Sequence, residues 1–130
     1  MRSTFRTSAV VAVPVVLVAI LYESSQVHGS PGVPALTTNV AYAGHFAIYA
    51  TLAFCGLAAL GRPTWLGTAA VVLFSVGLGI AMEIYQIHVP TRTASVLDAM
   101  ADTAGVMAGV FVFSVVMVLL EPLGKQSTKP

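Results

Sequence analysis

Between Arg6 and Glu83 only two side chains, Glu23 and Arg62, carry a charge. Nothing else in the sequence constrains the fold as strongly, because a surface that faces water needs charged groups. Soluble domains carry roughly a quarter charged residues; here the share is 8%, against 57% hydrophobic. Such a chain belongs in a lipid bilayer. Four apolar runs lie at about Thr7–Tyr22, Ala41–Leu60, Trp65–Ile84 and Ser95–Leu120. Each approaches or exceeds the ~20 residues needed to cross a bilayer core. Inside hydrocarbon every backbone polar group must be satisfied internally, and runs without polar–apolar alternation satisfy this as helices rather than barrel strands. The expectation is an all-α, four-transmembrane-helix bundle: one domain over residues 1–130, with 121–130 as a tail. Pro14 in the first run is tolerable as a kink. That run also resembles a signal peptide, with Arg2 and Arg6 ahead of an apolar stretch, but "YESSQVHGS" offers no clear cleavage site behind it, so retention as a helix is expected.

Lysine and arginine give the expected orientation. Arg2 and Arg6 precede the first run, Arg62 lies in the link "GRPTW", and Lys125 and Lys129 are in the tail. The opposite side holds only Arg92. Both termini are therefore expected in the cytoplasm, with Tyr22, Tyr42 and Tyr85 at one membrane interface and Trp65 at the other. A formal charge of +1 excludes a polybasic nucleic-acid binder. The single Cys55 excludes an intramolecular disulfide.

This topology brings the scarce polar residues together. His45 opens the second helix on the outer side, Glu83 and Gln86 close the third there, and Asp98 and Asp102 open the fourth. Arg92 sits on the connection between the last two. Asp98 and Asp102 share a helix face, as do His45 and Tyr49, and Glu83 and Gln86. Ionisable groups in spans turn inward, pair and mark function. Gly77 and Gly79, and Gly105 and Gly109, are positioned to let a neighbouring helix approach.

Each residue also has a bland explanation. "SVLD" from Ser95 fits a capping box, which would make Asp98 a helix cap. Glu83 and Arg92 can reach headgroups, His45 can bond a carbonyl, Tyr49 suits packing, and Asp102 can sit at the hydrocarbon boundary. Their common depth is what argues for a site. Three carboxylates face one arginine and one histidine, so either one carboxyl keeps its proton or an outside cation balances the charge. Asp102, one turn below the helix start, is the acid expected to keep it. Two acids and a histidine could ligate a divalent metal, but no H-x-x-x-H spacing supports one, so neither a metal nor another cofactor is expected.

These residues resemble the VanZ-like family of small membrane proteins, named for a teicoplanin-resistance protein. The resemblance rests on "HFAIYATLA" from His45, "EIYQIHVPTR" from Glu83, "DAMADTAG" from Asp98 and "SSQ" at Ser24–Gln26. It covers roughly residues 15–112. Two positions depart from the family pattern: Ala41 and Tyr42 stand where relatives often carry an Asp-Lys pair, and Asp102 stands where asparagine is usual. The resemblance implies a multi-pass protein of the cell membrane, acting at the cell envelope and connected with glycopeptide resistance. Its outer polar site would bind or modify an amphiphilic ligand, a glycolipid or lipoglycopeptide, through His45, Tyr49, Glu83, Gln86, Arg92, Asp98 and Asp102. Catalysis, if present, would draw its acid and base from His45, Glu83 and Asp98. The competing expectation is a structural subunit whose polar cluster only clamps helices together.

Overall fold

The computed structural model describes residues 2–25, 38–90 and 94–125. Four helices make up nearly all of this: α1 (Arg2–Ser25), α2 (Thr38–Leu60), α3 (Trp65–Gln86) and α4 (Val96–Lys125). Among the described residues there is no strand. Each helix is long and apolar enough to cross a membrane. The helices outrun the apolar runs at several ends, α4 continuing to Lys125.

The outer surface is apolar: Val11, Val18, Leu73, Phe111 and Val118 are all exposed, whereas Glu83, Gln86 and Asp102 are buried. Lipid reverses the usual sorting, since hydrocarbon solvates leucine well and carboxylates badly. Tyr22 and Tyr85 at one end and Trp65 at the other are exposed, while Tyr42 is half-buried.

Helix α2 is central, packing on α1, α3 and most extensively on α4. The α2–α4 seam is set by small residues. A Cβ added at Gly105 would collide with the Phe46 carbonyl oxygen, and one added at Gly109 with that of Ala50. The backbones meet because these side chains are absent, the device expected of a small-xxx-small pattern. Gly79 on α3 admits the Asp102 side chain in the same way, but Gly77 faces open space and has no packing role of this kind. A helical turn separates faces by roughly 100° per residue, so two glycines two apart cannot serve the same neighbour. Around the seam, Ile20, Tyr49, Leu52, Ala53 and Val106 form one core cluster. Ala9, Leu57, Ala58 and Phe113 form another. Phe54 joins α1 to α4 through edge-to-face contacts with Phe5 and Phe113, at centroid distances of 6.3 and 5.9 Å.

A short link joins α2 to α3. Gly61 has φ +79°, a left-handed conformation open to glycine, and its N–H donates to the Leu57 and Ala58 carbonyls at 3.1 Å. Arg6 Nε donates to the Ala59 carbonyl at 2.8 Å, supplying a cation at the negative end of α2. The Thr64 hydroxyl caps α3 by accepting the Gly67 N–H.

Candidate functional site

The polar site is built from helix ends. The C-terminal turns of α1 and α3 and the N-terminal turns of α2 and α4 lie at the same end of the bundle. His45, Glu83, Gln86 and Asp102 are buried there.

The start of α4 shows how. Ser95 precedes the helix, and its hydroxyl accepts the Asp98 N–H at 3.2 Å, one half of a capping box. In the full motif the acid at Asp98 would reach back to the Ser95 N–H. Instead that N–H donates to Glu83 Oε2 at 2.7 Å. A carboxylate from α3 performs the second half of the cap, and the Asp98 carboxylate is released from it. Glu83 is thereby tied to α4, while its other oxygen, Oε1, is buried with no hydrogen-bond partner among the described residues.

One turn deeper, Asp102 is 2% exposed. Its Oδ1 lies 2.9 Å from His45 Nδ1, joining α4 to α2 within hydrogen-bond distance. Its Oδ2 rests against Gly79, where an added Cβ would come within 2.9 Å. The carboxyl fits because α3 presents no side chain there. The contact holds the imidazole in one orientation, with Nε2 directed to the α1 side, 4.0 Å from Glu23 Oε2.

Of the expected residues, His45, Glu83, Asp98 and Asp102 come together. One ring nitrogen of His45 and one carboxylate oxygen each of Glu83 and Asp98 lie within 4.8 Å of one another, a donor set able to hold a metal ion. The residue types allow such a set, but no local spacing motif marks it because the three residues come from three helices. Tyr49 belongs to the core beneath, yet its hydroxyl is buried with no hydrogen-bond partner among the described residues, as is Gln86 Nε2. Arg92 lies outside the described residues. Beside His45, a cleft of about 200 Å³ between α1 and α2 is lined by Ile20, Ser24, Gly44, Ile48, Tyr49 and Met82, with Glu23 at its rim. A larger cavity of about 410 Å³, between Arg62 and Met117, lies at the opposite end of the bundle and holds none of these groups.

Glu23 and Ser24 were not among the predicted site residues, although both line the cleft. The signal was available: Glu23 is the only acid between Arg6 and Glu83, and α1 ends on the same side as the cluster. The pairing of His45 with Asp102, 57 residues apart, had no local signal.

Residues 2–118 match the family model described as VanZ/LLP1. No curated protein and no solved structure matches the chain.

Proposed function

The chain belongs to the VanZ/LLP1 family, and from that premise we propose that this multi-pass membrane protein lies in the cell membrane with both termini in the cytoplasm. There, at the envelope face, it binds or modifies an amphiphilic ligand, a glycolipid or a lipoglycopeptide. The observation that carries this reading is the cleft beside His45. Its walls are apolar, from Ile20, Ile48 and Met82, and its polar end is formed by His45, Glu23 and Ser24. The Tyr49 hydroxyl at the same cleft has no hydrogen-bond partner among the described residues. An amphiphile has the matching division, with a polar headgroup attached to a chain. At about 200 Å³ the cleft is smaller than the ~300–1,000 Å³ of a pocket for an entire small molecule. It suits part of a ligand whose remainder stays in lipid. A modifying reaction would use His45, which has one ring nitrogen oriented by Asp102 and the other directed toward the cleft residue Glu23. That is the arrangement of a general base with its orienting acid.

A clamp is the second reading, and the His45–Asp102 contact between α2 and α4 favours it. Mass spectrometry of the gently solubilised protein separates the two. A site predicts a co-purifying amphiphile that is lost in Ile48→Trp, which fills the cleft, while folded yield is kept. A clamp predicts no such amphiphile and a fall in folded yield for His45→Ala.

A further inference from the structure

We infer that His45, Glu83 and Asp98 form a binding site for a divalent transition-metal ion, which shares His45 with the proposed amphiphile cleft but is read out without any amphiphile. Three donors from three helices lie within 4.8 Å of one another. Around one ion with bonds of 2.0–2.2 Å, donors at tetrahedral angles stand about 3.4 Å apart. Side-chain rotation covers the difference without moving a helix.

A second observation points to a ligand. Glu83 is 6% exposed, and its Oε1 has no hydrogen-bond partner among the described residues. A buried carboxylate oxygen that has lost water without gaining a hydrogen bond is destabilising, the more so when charged. A bound cation would satisfy it. Charge points the same way. Glu83, Asp98 and Asp102 gather around His45. Among the described residues this is an excess of negative charge that a divalent ion would offset.

The surroundings of the donors suit the task. Metal-binding histidines are commonly oriented by a carboxylate on the ring, and Asp102 stands in that position toward His45. Glu83 is held through Oε2 by the Ser95 N–H. Asp98 is spared the reciprocal cap that would otherwise occupy its carboxylate. Two carboxylates and one imidazole form an oxygen-rich set that suits Mn²⁺ and Zn²⁺ better than thiol-seeking ions. Three protein donors leave further coordination positions for water or a ligand oxygen.

The test uses the full chain in detergent, stripped with chelator and titrated with Mn²⁺ alone. Loss of the free-ion electron paramagnetic resonance signal measures binding, with one ion per chain expected. Asp98→Asn and Glu83→Gln should each weaken binding at least tenfold, and His88→Ala, at an exposed histidine, should leave it unchanged. Glu83→Gln disturbs the α4 cap, so Asp98→Asn, whose backbone bond to Ser95 is retained, is the variant that decides if Glu83→Gln fails to fold. In the loaded protein, spin-echo modulation should report a coordinated ¹⁴N that disappears in His45→Gln. Substoichiometric binding, binding unaffected by Asp98→Asn, or no nitrogen modulation overturns the inference. No lipid is added, so a failure here leaves the amphiphile reading standing, and the reverse also holds.

Discussion

Gly105→Ala tests whether the α2–α4 seam holds the polar site together. The added methyl would meet backbone: the Phe46 carbonyl oxygen, with the carbonyl carbon at 3.0 Å and Cα at 3.1 Å. Backbone cannot rotate away as a side chain can. Carbon atoms prefer separations of about 3.5–4.0 Å, so α4 must retreat by roughly 0.5–1 Å. Overpacking of this kind costs about 1–3 kcal/mol. The retreat has a second effect, because Phe46 follows His45 and Gly105 lies one turn from Asp102. The 2.9 Å contact between His45 Nδ1 and Asp102 Oδ1 would stretch to about 3.4–3.9 Å, at or past the limit of a hydrogen bond. Leaving those buried groups unsatisfied adds about 1–3 kcal/mol. The expected total is about 2–6 kcal/mol, measured as reversible unfolding in mixed micelles by circular dichroism. Gly77→Ala, where nothing lies within 4 Å of the added carbon, should be near neutral. Because part of the cost passes through the polar contact, Gly105→Ala should cost less in an Asp102→Ala background. Equal costs for Gly105→Ala and Gly77→Ala would refute the packing argument; strict additivity with Asp102→Ala would refute the link to the site.

Asp102→Asn keeps a hydrogen-bonding group opposite His45 Nδ1 and should retain folded yield, whereas Asp102→Ala strands the ring nitrogen and should lose about 1–3 kcal/mol in the same unfolding assay. Gly61→Ala places a Cβ at φ +79° and should cost about 1–2 kcal/mol, read as a lowered melting temperature, with Gly61→Asn less harmful because asparagine tolerates the left-handed region. In a Cys55-free background, cysteines at positions 30 and 91 should react with an impermeant thiol reagent added outside intact cells and one at position 127 should not; labelling at 127 would invert the proposed topology.

Much of this molecule is legible without coordinates. Scarce charge forces the chain into lipid, and lipid forces its apolar runs into helices. Four such runs alternate in direction, so His45, Glu83, Gln86, Asp98 and Asp102 must reach one end of the bundle. That reasoning needs only lengths and the cost of unsatisfied polar groups in hydrocarbon. The rotation of each helix about its own axis is a different matter. Helix α2 carries no sustained amphipathic stripe, so little besides His45 identifies its inner face. Its rotation against α4 is set by where Gly105 and Gly109 let the backbones touch, and that of α3 against α4 by where Gly79 leaves room for Asp102. Only those contacts decide that His45 meets Asp102, and that Glu83 takes over the cap at Ser95 and frees Asp98. Sequence assigned these residues to a common depth through the energetics of the bilayer; packing between helices assigned them their partners, because short-range contacts depend on angles that a uniformly apolar sequence leaves open.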